Sequence, residues 1–429
     1  MKRRDLLASM AALGLVPALP ALAADGDLKT AAMNAWLFSL PLIEMANART
    51  RTAGQVNRLV HRRTLNSWQD RAITAPNNDT LYSSAWLDLT KGPLTLTLPA
   101  VGKRYASVHI LNMYSDTDAV LSQRTIGENG GTFTIVGPGP AEPGKGVVQM
   151  TTPQGWMIIR VLVDGEPDMA AAHAVQDKII LTGPKVSSSR VYADRNAKAP
   201  DYFADVAELM ASNPPRAADR PFLGWTKRLG TDGQKSLSPE QWAEVEEGVA
   251  QARALVKSYA GTASYVQGWS YPKANLGLFG QEYAYRAIVA LVGLAALIPQ
   301  EAMYMSPASP DGTGEFTGDS VYRLSLPKDP PVDAFWSLTM YEIDGQKQKF
   351  LTKNPIGRYS IGDHTPGIKR NADGSLDIWI SRTDPGGERS ANWLPAPVSG
   401  PYSLSLRAYL PREELRDGRY RLPPITKVS

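Results

Sequence analysis

In two blocks of this chain prolines stand beside short apolar runs and do not enter them, and that placement restricts the fold more than any other feature. Pro93 and Pro99 bracket Leu94-Thr95-Leu96-Thr97-Leu98. Proline has no backbone N–H to give to a sheet ladder, so it is confined to strand ends and edges. Between the two prolines, leucine and threonine alternate with period two, the pattern of a strand with one buried face. Pro327, Pro395, Pro401 and Pro411 flank later apolar runs in the same way.

Two blocks of the chain read as strands. In the first, from Leu81 to about Val163, the strand-like runs are Leu94 to Leu98, Ala106 to Leu111, Gly131 to Val136 and Trp156 to Val163. Gly137-Pro138-Gly139-Pro140 and Asp164-Gly165 mark turns, and a helix over Met169 to Leu181 is expected to close the block. In the second, after about Met305, the runs are Tyr322 to Leu326, Ala334 to Tyr341, Leu376 to Ile380 and Tyr402 to Tyr409. Asp344-Gly345, Asp373-Gly374 and Asp417-Gly418 separate them.

Helical signals surround the first block. Thr30 to Ala48 puts Ala35, Leu37, Leu40, Leu42 and Met45 on one broad apolar side. Ser238-Pro239-Glu240-Gln241 is a helix start, with a serine cap, proline at the first position and glutamine at the capping-box position. Trp242, Val245, Val249, Ala252, Val256 and Tyr259 follow at helical spacing. The fold expected is a β-rich α+β chain: two β-sandwich or jelly-roll-like domains joined by a helical middle segment. Its divisions are a leader over 1–23, an N-terminal β-rich domain with flanking helices over 24–195, a helical connection over 196–304, and a C-terminal β domain over 305–429.

The leader is a signal peptide by pattern. Lys2, Arg3 and Arg4 precede an apolar run from Leu6 to Leu19, and Ala21-Leu22-Ala23 supplies a small-x-small cleavage site, giving a mature start at Ala24. The Arg3-Arg4 pair resembles a twin-arginine signal. A periplasmic or secreted location is therefore expected. The chain has no cysteine, so disulfides, thiolate metal sites and cysteine nucleophiles are excluded and burial must hold the body together. The leader takes three basic residues and one acidic residue with it, so the formal charge of +4 falls by two. No basic segment remains to support nucleic-acid binding. The apolar run Ala284 to Pro299 is interrupted by Arg286, so it reads as a buried helix and not a membrane span.

No Gly-x-Ser-x-Gly elbow, phosphate-binding glycine loop or His-Glu-x-x-His motif occurs, and His61, His109, His173 and His364 are too scattered for a local metal box. Polar residues do concentrate in three places. The first is Asn77-Asn78-Asp79-Thr80-Leu81-Tyr82, at a strand entrance. The second holds Arg104-Tyr105, Asn112, Tyr114 and Arg124-Thr125. The third combines Phe335-Trp336-Ser337, Arg358-Tyr359-Ser360, Asp363 and Asn392-Trp393.

Asn78 to Ser83, Arg104-Tyr105 and Arg124 to Gly127 resemble the bacterial domain of unknown function catalogued as 1254. Asp333 to Tyr341, Asn371 to Leu376 and Asn392 to Pro397 resemble its usual C-terminal companion, catalogued as 1214. The resemblance covers most of the mature chain and implies paired β-rich domains with helical insertions, but no reaction. The first family often carries an acidic residue near the position of Asn112, where this chain departs from it.

Asp79 and Tyr82 are the candidate acid–base pair, with Asn78 orienting a substrate; the competing reading is an Asx turn beside a packing tyrosine. Arg104, Arg124 and Arg358 fit either a clamp on a carboxylate or sugar, or ion pairs with Asp88, Asp116 or Asp363. Tyr114 joins them as a candidate ligand contact, and Trp336 and Trp393 fit either a stacking platform or the core. The activity expected is that of a periplasmic hydrolase or lyase on a small organic or carbohydrate substrate. The alternative is a non-catalytic binder of glycans or small molecules in the envelope. Neither a cofactor nor an oligomeric state follows from the residues. Exported protein is expected to begin at Ala24 by N-terminal sequencing. Replacing Arg3 and Arg4 together by lysine is expected to leave uncleaved precursor in the cytoplasm; normal processing of that variant would remove the twin-arginine route.

Overall fold

The structure, a computed structural model, describes residues 27–428 except 53–55, 72–73, 141–143, 188–189, 234–235, 261–263 and 313. The leader expected over 1–23 lies outside the described residues, as does the side chain of Tyr259.

The main helices are α1 (Leu28–Thr52), α2 (Met169–Asp177), α3 (Ala199–Ser212), α4 (Pro239–Ala260) and α5 (Tyr283–Val292). Helix α1 starts where the Asp27 carboxylate accepts the Thr30 N–H at 2.8 Å. It is not one-sided: Ala35, Trp36, Leu37, Phe38, Leu40 and Ile43 are all buried, because α3, α4, α5 and a sheet face surround it. Gly248 of α4 permits the closest approach, since a Cβ there would collide with the Lys29 carbonyl. Helix α4 carries the expected capping box: Ser238 Oγ accepts the Gln241 N–H and Gln241 Oε1 accepts the Ser238 N–H.

The first β domain is a sandwich. One sheet runs in the order β1 (Val60–His61), β2 (Thr80–Asp88), β8 (Gln154–Leu162), β4 (Ala106–Asn112) and β5 (Thr117–Ser122). The other runs β7 (Val147–Gln149), β6 (Gly131–Val136), β3 (Leu94–Leu98) and β9 (Ile180–Thr182). Leu81, Ala85, Leu96, Val108, Ile135 and Ile159 fill the space between them. The helix expected over Met169 to Leu181 ends at Asp177, and Leu181 instead pairs with Leu96 as part of β9. An edge beside β3 was open, and pairing there satisfies backbone groups that a longer helix would leave unpaired.

The second β domain is built likewise. Its larger sheet runs β10 (Trp269–Ser270), β11 (Ala302–Pro307), β19 (Pro401–Tyr409), β14 (Trp336–Ile343) and β15 (Lys349–Leu351), with β12 (Phe316–Thr317) on β19 and β16 (Ser360–Gly362) on β14. Opposite it lie β18 (Trp393–Pro395), β17 (Leu376–Ser381), β13 (Tyr322–Leu326) and β20 (Thr426–Lys427). Trp336, Leu338, Leu406, Leu324 and Ile378 share its core.

No helix among the described residues is long and apolar enough to cross a membrane. Arg286, which breaks the apolar run of α5, is fully buried. It donates to Asp116 Oδ2 and to the Phe38 carbonyl, both at 3.2 Å, and lies within about 5.5 Å of the ring centres of Phe38, Tyr114 and Tyr283. Removing one partner of such a buried pair strands the other charge and costs roughly 3–5 kcal/mol. Asp116→Ala is expected to lose about that much in urea denaturation; a loss under about 1 kcal/mol would show that the pair is not buried as described.

Candidate functional site

In each domain the outer face of the larger sheet, turned away from the sandwich core, is unusually polar. On the first sheet Tyr82 of β2 pairs with Arg160 of β8, which pairs in turn with Ser107 of β4. On the second, Tyr304 of β11 pairs with Arg407 of β19, which pairs with Ser337 of β14. Directly paired antiparallel residues share a face, so each sheet presents a cross-strand row of tyrosine, arginine and serine.

A strap of the first domain lies on the second sheet's polar face. Arg407 donates to the Ala75 carbonyl at 3.0 Å and Tyr341 to the Pro76 carbonyl at 2.8 Å. Asn77 Nδ2 donates to the Tyr409 hydroxyl at 2.6 Å, while Asn77 Oδ1 accepts the N–H groups of Asp79 and Thr80 in an Asx turn. That turn aims Asp79 at the second domain. Its carboxylate accepts from Ser337 Oγ at 2.6 Å and from Ser360 Oγ at 3.1 Å.

Asp79 keeps part of its surface accessible, yet its carboxyl is crowded by protein. Burial pushes its pKa up; Arg407, the two serine hydroxyls and His364 oppose that rise. Arg407 itself is 5% exposed and also donates to Thr339 Oγ1 and the Tyr341 hydroxyl. Burial likewise raises the pKa of Tyr304, Tyr341 and Tyr409, so these phenols stay neutral near pH 7. A second tie lies beside the strap. Glu301, fully buried, accepts from Tyr105, Ser122 and Arg124 of the first domain, and burial raises its pKa.

Family models settle the affiliation. That for the protein of unknown function DUF1254 matches residues 56–183, and that for DUF1214 matches residues 301–413. The chain is a DUF1254–DUF1214 protein. The crystal structure of the VPA0106 protein from Vibrio parahaemolyticus shares this fold at a TM-score of 0.72 and 23% identity, over 94% of this chain and 100% of that one. An uncharacterised protein from Burkholderia cenocepacia aligns at a TM-score of 0.46 and 14% identity, over 99% and 95% of the two chains. No curated protein matches the sequence.

Within this DUF1254–DUF1214 protein the predicted residues separate. Asp79 and Tyr82 of the DUF1254 domain reach the seam with the DUF1214 domain. Asn78 turns aside and donates to the Asn66 carbonyl; its neighbour Asn77 makes the contact across the seam. The three arginines form internal ties, but not with the acids expected. Arg104 forks onto Asp168, Arg124 reaches Glu301, and Arg358 donates to the carbonyls of Ala391 and Trp393. Tyr114 is buried in the helical layer, its hydroxyl on the Asn213 carbonyl. Trp336 and Trp393 are core residues, not platforms, since β14 and β18 turn them inward. Asn112 braces a turn by accepting from the N–H groups of Tyr114 and Asp116. Arg160 and Arg407 were not among the sequence candidates. Their signal was a lone charge inside an apolar strand, as in Ile158-Ile159-Arg160-Val161-Leu162.

Among the described residues no cluster of three or more acidic or histidine side chains is placed to hold a metal ion. Two hollows lie away from the seam: one of about 30 Å³ against Val108, Leu121 and Ile159, and an open groove of about 630 Å³ beside Lys328, Tyr420 and Arg421.

Two further carboxyls matter for pH. Burial pushes Asp118 and Asp363 up to about 6 from an ordinary 3.8. A carboxyl with a raised folded pKa binds its proton more tightly in the native state, so its stabilising effect is complete below about pH 4 and fades as pH rises through about 6. Asp118→Asn is expected to lose less stability than wild type between about pH 4.5 and pH 7 in urea melts. Equal losses would rule out Asp118 as a contributor.

Proposed function

We propose that the seam between the two domains is an acid–base site for a small organic substrate, with Asp79 as the proton-carrying group and Tyr82 beside it. On this reading the protein is an exported hydrolase or lyase acting in the periplasm from a mature start at Ala24. The observation that carries the reading is the position of Asp79. Burial raises the pKa of its carboxyl, yet the residue retains accessible surface and is steadied by Ser337 and Ser360. A general acid or base works best when its pKa lies near the working pH, and crowding moves a carboxyl in that direction. Tyr82 adds a part-accessible phenol that makes no hydrogen bond to another described residue.

A second reading is favoured by one fact: both oxygens of Asp79 already accept a hydrogen bond from the other domain. In that case Asp79 is a fastener and the seam only binds its ligand. The two readings part on a single comparison. A metabolite and oligosaccharide extract is incubated with the mature protein and with Asp79→Asn, and both are followed by untargeted mass spectrometry. The enzyme reading expects a compound consumed by wild type and spared at least a hundredfold by the variant, the usual scale for losing an acid–base group. Retention of a compound without consumption supports the binding reading, and equal consumption by both proteins removes Asp79 from the chemistry.

A further inference from the structure

Two arginines at the seam are deeply buried. Arg160 is 6% exposed and Arg407 5% exposed. Among the described residues neither forms an ion pair, in contrast with the fully buried Arg286, which has Asp116. Arg160 Nη2 donates to the Ala295 carbonyl at 3.3 Å and the guanidinium lies 5.5 Å over the Tyr82 ring, but Nη1 has no hydrogen-bond partner although it is buried. The aromatic groups nearest in electrostatic effect come from both domains: Tyr82 and Tyr105 from one, Tyr304 and Tyr409 from the other. Tyr304 and Tyr409 also feel Arg407.

Burying an ionised group without a counter-charge is among the most costly arrangements a fold can hold. Guanidinium does not give up its proton, so neutralisation is closed to it. Burial keeps the phenols of Tyr105, Tyr304 and Tyr409 neutral, so they bring no counter-charge. His109, on the same sheet face, is held neutral by burial and by Arg160 itself. A water molecule would complete the hydrogen bonding of Nη1 but not the charge. Asp79 acts on Arg407 and not on Arg160.

We infer that the seam binds an oxyanion carried by a small organic molecule, with Arg160 Nη1 as its direct donor and Arg407 supplying a second positive charge from the opposite sheet. Arg407 already uses three of its five N–H donors on Thr339, Tyr341 and Ala75, so its part is chiefly electrostatic. Arg160 has a donor to give. The ring of Tyr82, beneath Arg160, and those of Tyr304 and Tyr409 offer the organic remainder apolar and aromatic contact, which favours a carboxylate- or phosphate-bearing molecule over a bare inorganic ion. This inference rests on the reading of the seam as a ligand site and names its class of ligand, without requiring turnover.

The test is a calorimetric titration of the mature protein with inorganic phosphate, succinate and benzoate at matched ionic strength, repeated on Arg160→Met. The expected result is saturable binding of succinate or benzoate that weakens at least tenfold in the variant. Co-crystals of the wild type with the tighter probe are expected to place an oxyanion within hydrogen-bond distance of Arg160 Nη1, and they decide the matter if Arg160→Met does not fold. Binding of phosphate alone overturns the organic class. No binding of any probe, or equal binding by both proteins, overturns the inference. Oxyanion binding without any substrate consumed would leave this inference standing and remove the enzyme reading. Consumption of a neutral compound, unaffected by Arg160→Met, would do the reverse.

Discussion

Everything at the seam depends on how the strap over residues 75–79 satisfies the polar face of the second sheet. That face carries Arg407, Thr339, Tyr341, Ser337 and Ser360, groups that are costly to bury without partners. The strap provides backbone carbonyls at Ala75 and Pro76, a side-chain amide at Asn77 and a carboxyl at Asp79, all within one extended turn. Glu301 returns the favour from the second domain to the first. The two domains are thus held by interlocking hydrogen bonds, which fix orientation more tightly than apolar contact does.

The same constraint separates the two sandwiches' inner and outer faces. Alternation along β14 sends Trp336, Leu338 and Met340 to the core and Ser337, Thr339 and Tyr341 to the seam. A single-residue slip in register would exchange the two sets. Precise placement of Asp79 therefore traces back to the hydrophobic alternation of a strand far from it in sequence.

Much of this architecture was legible in the sequence. Alternation marked the strands, the prolines marked their ends, and the Ser238 capping box marked the start of α4. Arg286 marked α5 as a buried helix: a lone charge in an apolar run needs a buried partner, and Asp116 is that partner. The same signal, at Arg160 and Arg407, went unused and would have led to the seam. What could not be read was long-range partnership. Periodicity tells which face of an element is buried, but not what covers it, so α1 looked one-sided although helices and a sheet enclose it. Likewise the sequence shows that Arg104, Arg124 and Arg358 need partners without showing that these are Asp168, Glu301 and two carbonyls. Trp336 and Trp393 have the composition of a binding platform and the position of a core.

The enclosure of α1 has a consequence for the order of events during synthesis. This helix is made first and is apolar on nearly every side, but α4 and α5, which cover it, come from residues Pro239 onward. Until those residues leave the ribosome, α1 can shelter only against the first sheet and α3. A nascent chain in that state exposes the kind of segment that chaperones hold and that aggregates when left unattended. The helical layer therefore closes only once α5 has been made, and its first helix waits longest for its neighbours.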